Sequence, residues 1–282
     1  MTTPSRRWQF IGLAALALVT ALLVVWSLAE ARSVTPAGTS PATTPIPTAT
    51  QPPTTPATAS PTPSTSTTPI KGLKGLAQRL DSADPVSLMV LGDGSGDGQQ
   101  EWVSLWAVDH LAGSRRVAYH AWSASTQRWA TAKNTGKGAA TTIWNASVSA
   151  PSLKDEPKRV VTVWKPVDAV ILSYGHRKPA AEVAQGLDAI YRAVRAKDKD
   201  AAVIVMLQNP DPVATQTTQQ QTVEAVKRWA QDAGLDTVNI YDAFVNDPAP
   251  RYQLVQTDGS PTPVGSQLWA KTFDAALRQA AG

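Results

Sequence analysis

The chain predicts a three-layer α/β/α domain built on a doubly wound parallel sheet, and three observations carry that reading. Val86–Leu91, Ala169–Ser173 and Ala202–Leu207 are short continuous apolar runs, the pattern of strands buried on both faces of a parallel sheet. Helical periodicity separates them. Glu182–Lys197 carries Val183, Leu187, Ile190, Tyr191 and Val194 three or four residues apart, and Thr217–Asp232 and Pro263–Ala281 keep the same period, the former ending at Gly234. Finally, Gly92–Gly98, Gly175–Pro179, Asn209–Pro212 and Asp258–Pro263 are turn-rich segments that follow strands or long loops. Ligands of such sheets bind beyond the carboxyl ends of the strands, so these four segments are expected to converge on one cleft.

Taken in order from the N-terminus, Phe10–Ala29 is an uncharged, overwhelmingly apolar stretch of about 20 residues, which at ~1.5 Å per residue matches the ~30 Å hydrocarbon layer. Arg6 and Arg7 precede it, and the positive-inside bias holds that end in the cytoplasm and sends everything after Arg32 across the membrane. Residues 1–32 are thus expected to be a single-pass signal anchor in the cell membrane. The alternative is a secreted protein cut at the A-x-A-like Ala29-Glu30-Ala31, against which the run exceeds the ~7–15 apolar residues of a signal peptide. Residues 33–70 are almost entirely Thr, Pro, Ala and Ser, without charge or aromatic residue as far as Pro69, and bury no core. This proline-rich, disordered linker favours extended chain at ~3.1 Å per residue, a tether of up to ~100 Å on the scale of a cell envelope. Its Thr and Ser beside Pro suit O-glycosylation, although a bare tether needs none. Residues 71–282 remain for one folded domain. A chain without cysteine is compatible with the extracytoplasmic side, since a domain of this size is stable on its core alone. The net charge of +4 comes from scattered residues, so affinity for anionic envelope polymers is expected and nucleic acid is not.

Within the domain, the apolar run from Val86 ends in Gly92-Asp93 and a helix pattern starts near Gln100, which puts Gly94 on a strand-to-helix turn, where a nucleophile would stand. The stretch VSLMVLGDGSGDGQQEWVSLWA resembles block I of the SGNH/GDSL hydrolases, whose actinobacterial members read roughly GDSTGDG before a tryptophan-bearing helix. The patterns align without a gap, and Gly94 falls at the serine position. IWNASVSAPS, from Ile143 to Ser152, resembles block II, with Ala150 in place of the oxyanion-hole glycine. VDAVILSYGHRKP, from Val167 to Pro179, resembles block III, with Arg177 in place of the oxyanion-hole asparagine. DGSPTPVGSQLWA, from Asp258, resembles block V, but the catalytic histidine expected between Ser260 and Pro261 is missing. The resemblance implies a flavodoxin-like, SGNH-type fold from about Val86 to the C-terminus and a serine-esterase ancestry in which only Asp258 keeps its position.

A serine nucleophile needs a base, and the base an orienting carboxylate; losing either removes orders of magnitude in turnover. The leading expectation is therefore a catalytically degenerate pseudo-hydrolase that binds an envelope glycan or acyl ester through Asp93, Gly94, Ser95, Ala150, His176, Arg177 and Asp258. The alternatives are an active esterase with Ser95 and His176 as fallback nucleophile and base supported by Asp258, and a structural envelope scaffold. Ser95 is read first as a turn residue, Asp93 as a cap for the following amides, His176 as a binding or loop-packing residue, and His110 and His120 as structural. Arg177 either holds a carboxylate or phosphate or points to water. No metal spacing is present and no cofactor is expected; Asp93 and Asp97 are too few carboxylates for a metal site. VAYHAWSASTQRWA, ending at Ala130, reads as two strands around Ser123–Thr126, and Trp102 and Trp106, four apart on one helix face, are expected in the core rather than stacked on sugar.

Overall fold

The computed structural model describes residues 69–212 and 216–282. The expected anchor and nearly all of the linker lie outside the described residues, among which no helix is long and apolar enough to cross a membrane. Helix α1 (Gly72–Asp81) leads into strand β1 (Val86–Gly92), and α2 (Trp102–Leu105) runs on as a π-helix, Trp106–His110, and a 3₁₀ turn, Leu111–Gly113. Four strands follow: β2 (Arg115–Ser123), β3 (Arg128–Trp129), β4 (Lys133–Thr135) and β5 (Ala139–Asn145). The chain then alternates through α3 (Glu156–Val163), β6 (Ala169–Ser173), α4 (Ala180–Lys197), β7 (Ala202–Leu207), α5 (Gln216–Asp232) and β8 (Asp236–Asn239). It closes with α6 (Ile240–Asn246), α7 (Arg251–Leu254) and the long α8 (Pro263–Ala281).

The strands form one sheet in the order β3-β2-β5-β1-β6-β7-β8, with β4 also on β2. Every pair along β2-β5-β1-β6-β7-β8 is parallel, as the three apolar runs require. At one edge the sheet is mixed, with β3 and β4 paired antiparallel to β2. A reversal this short leaves no room for the crossover that parallel pairing needs. The expected hairpin around Ser123–Thr126 is the β2–β3 pair, with Trp122 opposite Trp129.

Strand residues alternate between two cores, one on each face of the sheet. Leu88 and Val90 pack with Trp102, Trp106, Trp269 and Phe273 under α1, α2 and α8; Met89 and Leu91 pack with Val160, Leu187, Ile190 and Val226 under α3, α4 and α5. Trp102 and Trp106 are fully buried, Trp102 stacked on Trp269 at 5.6 Å and Trp106 edge-on to Phe273 at 4.7 Å. Their shared helix face meets α8 and is core, as expected. The chain goes from β1 to one side for β2 and β5 and crosses to the other for β6–β8, so the strand order reverses at β1 and the crevice belongs at its carboxyl end.

Candidate functional site

The turn after β1 is knitted to both neighbouring loops. Asp93 N donates to Ser173 O at 3.1 Å, while Ala146 N and Val148 N donate to Val90 O and Gly92 O at 2.8 and 3.1 Å. The Asp93 carboxylate is the centre of the assembly: Oδ1 accepts from Ser95 N and Oγ at 3.2 and 2.9 Å, and Oδ2 from His176 N and Gln208 Nε2 at 3.3 and 2.9 Å. One buried carboxylate thus ties the turns after β1, β6 and β7. The Ser95 hydroxyl is committed to this turn, and no hydrogen bond joins it to His176.

Gly94 has no conformational need to be glycine. It lies outside the left-handed region, and a Cβ added there meets nothing closer than Ser149 Cα at 3.4 Å, an ordinary contact. A side chain at 94 would lie against the loop that follows β5.

Ala150 and Arg177 are the converse case. Among the described residues only Gln127, Ala150 and Arg177 are non-glycine residues with positive φ, at 50°, 48° and 55°. The left-handed region costs an ordinary L-residue roughly 1–2 kcal/mol, and glycine or asparagine visits it most readily. These are the residue types that the resemblance expects at 150 and 177. The backbone at these two positions has the shape that glycine or asparagine adopts most readily.

A buried clamp holds these loops from below. Arg159 donates to both oxygens of Glu156, from Nε at 2.6 Å and Nη2 at 2.5 Å, and its Nη1 reaches Ala146 O at 2.5 Å, while Tyr174 donates to Glu156 from the end of β6. Complete burial, reinforced by Glu156, pushes the Tyr174 phenol well above its usual value, so it stays a donor.

The block V loop closes the far side. Arg177 Nη1 donates to Asp258 O at 2.7 Å, so the turn after β6 is strapped to the loop before α8. Asp258 is exposed, and its carboxylate accepts from Ser260 N at 2.9 Å. That bond first, with the Arg177 guanidinium nearby adding positive charge, holds the Asp258 carboxyl below its ordinary value. The His176 ring is not paired with Asp258: its Nε2 lies 3.2 Å from Asp211 Oδ1. Beside the Gly94 turn, Glu101 Oε2 accepts from Gly98 N at 2.6 Å, and partial burial with Asp97 alongside pushes its carboxyl up to about 7.

Asp93, Ser95 and His176 are therefore joined through the Asp93 carboxylate, Gly94 lies against the loop that carries Ala150, and Arg177 reaches Asp258. The Asn209–Pro212 segment expected at the cleft does reach it, through Asn209 to Gly259 and Asp211 beside His176, whereas Gln208 just before it and the individual roles of Asn209 and Asp211 are not read from sequence. Their only signal is the polar run QNPD directly after an apolar strand. Trp144 is stacked on His120 at 3.9 Å and edge-on to Trp129 at 5.0 Å, with Lys165 Nζ 5.4 Å from its ring centroid.

This arrangement of strand-end loops on a doubly wound sheet defines a class: the chain has the fold of the GDSL/SGNH lipolytic hydrolases. A lipase/acylhydrolase from Enterococcus faecalis superposes with a TM-score of 0.50 at 17% identity, over 69% of this chain and 96% of that one. LAE5, an α/β hydrolase from the metagenome of Lake Arreo in Spain, gives 0.51 at 16% identity, over 70% and 96%. A putative lipolytic protein of the G-D-S-L family from Desulfitobacterium hafniense gives 0.47 at 14% identity, over 68% and 99%. No family model and no curated protein matches the chain.

Proposed function

We propose that this protein is a membrane-tethered, extracytoplasmic pseudo-hydrolase of SGNH type, whose cleft binds an anionic or acylated envelope glycan without the serine-hydrolase mechanism. The observation that carries this reading is Gly94: a position whose backbone and surroundings would accept a Cβ has no side chain, and the hydroxyl next to it in the chain, on Ser95, is fixed to Asp93. The family histidine is absent as well, and an acyl-enzyme needs both groups. Support for retained binding comes from the donors around the vacated site, the Gly94 and Ala150 amides and the Arg177 guanidinium. Such a pocket prefers anions. The apolar segment Phe10–Ala29 and the proline-rich linker support the tether.

Titration calorimetry at two ionic strengths tests the reading, with acetate, inorganic phosphate and an acidic glycan as probes. Weak binding that weakens with salt and is lost in Arg177→Ala is expected, because Arg177 is exposed and its charge is screened. Binding unchanged by Arg177→Ala removes the proposed anchor and leaves a structural scaffold.

A further inference from the structure

The fold keeps a histidine–carboxylate pair outside the degenerate triad. His176 and Asp211 approach to 3.2 Å with side chains 14% and 5% exposed, off the axis of a well-aligned hydrogen bond. Three features hold them together. The His176 N–H rests on Asp93 Oδ2. The fully buried Asn209 donates from Nδ2 to Gly259 O at 3.1 Å and Pro210 O at 2.9 Å, fixing Gly259 beside the ring. Gly259, at φ 83°, then sits so close that a Cβ there would stand 2.5 Å from His176 Nε2 and 2.6 Å from Asp211 Oδ1.

Asp211 Oδ1 and His176 Nε2 are both buried without a hydrogen bond as they stand, so a small turn of the ring that aligns them would satisfy both atoms at once. The aligned pair would carry hydrogen on Nε2 and leave the lone pair on Nδ1. Nδ1 bonds to no protein group among the described residues and is not sealed from solvent. Catalytic pairs are commonly loose before substrate binds and tighten with it.

We infer that His176, oriented by Asp211, is a general base that activates water against an acyl ester in the cleft, giving slow hydrolysis without an acyl-enzyme. Nδ1 takes a proton from water as the water oxygen bonds to the carbonyl carbon, and the charge that develops on the carbonyl oxygen meets the Gly94 and Ala150 amides. On collapse the carbonyl re-forms, the bond to the alcohol oxygen breaks, and that oxygen leaves with the proton from Nδ1. Ester and water become acid and alcohol. His176 is the catalytic residue here and Asp211 a positioning residue. The inference rests on the cleft accepting acyl esters, as proposed above.

The test is hydrolysis of p-nitrophenyl acetate by the full chain. The expected result is turnover above the buffer rate, without a burst, that rises with pH to a plateau as the base loses its proton. His176→Asn is expected to lower kcat about 100-fold at similar KM, the low end of what a general base supplies. Asp211→Asn should lower kcat about tenfold and shift the ring 15N resonances from the Nε2–H tautomer toward a mixture, which a merely structural role would not do. Turnover that follows hydroxide alone, or that His176→Asn leaves unchanged, overturns the inference. Absent turnover alongside Arg177-dependent anion binding overturns the dyad and leaves the binding reading standing; loss of both overturns both.

Discussion

At the scale of single residues, backbone conformation and side chain agree at some positions of this cleft and conflict at others. Glycine at 94 is free to be anything small, whereas alanine at 150 and arginine at 177 occupy conformations better suited to glycine and asparagine. Ala→Gly ordinarily costs about 0.5–1 kcal/mol. Ala150→Gly should cost none of this, because the relieved left-handed strain offsets the added chain entropy; a drop of about 1 kcal/mol in denaturant unfolding would contradict the strain argument. Ser95→Ala should lower stability by about 2 kcal/mol, since it removes a buried hydrogen bond to a charged carboxylate, and should leave aryl-ester turnover where it was. A clear loss of turnover in that variant would reinstate Ser95 as a nucleophile.

Elements are held in place by charges whose partners matter more than their number. Arg159 joins α3 to the loop after β5 and, through Glu156, to the end of β6. Arg159→Ala strands a carboxylate that is 3% exposed, so a loss of about 3–5 kcal/mol is expected, and adding Glu156→Gln should recover part of it; equal losses in the single and double variants would show that the charge is not the cause. The Gly94 turn and the start of α2 contribute a pH dependence through Glu101. Its folded value, about 7, lies above the ordinary 4.5, so the folded state binds the proton more tightly. The stability it contributes is complete below about 4.5 and is lost as pH rises to about 7. The loss is on the order of 1–2 kcal/mol once screening at this partly exposed site is allowed for. Glu101→Gln should flatten the stability curve over that window, and an unchanged slope would place the titration elsewhere.

For the whole molecule, what was legible in the sequence follows from how each feature is encoded. Fully buried strands such as β6 and β7 announce themselves as apolar runs, and long amphipathic helices such as α4 and α8 by their period. The edge strand β4 carries Lys133, Asn134 and Thr135, and β8 spans only Asp236–Asn239, so neither has a pattern to read. The turn at Gly94 was legible because its glycines and aspartates form a motif; the role of Asp211 was not, since a single carboxylate after a strand becomes a partner for His176 only when two loops meet in space. The tether is a matter for topology: a reporter fused after Gly282 should be active only on the extracytoplasmic side, with the protein retained in membranes after a salt wash. Release of a soluble species beginning near Arg32 would favour signal cleavage.

The central claim is that an SGNH-type cleft has the family's backbone frame without the family's serine and histidine, and covalent trapping tests it most directly. A fluorophosphonate should leave the wild-type chain unlabelled, as read by intact mass. Gly94→Ser combined with a histidine inserted between Ser260 and Pro261 rebuilds both groups beside Asp258, and this variant should be labelled at residue 94 and gain esterase turnover that neither change gives alone. Labelling of the wild-type chain at Ser95, or a folded double variant that takes up no label, would contradict the account.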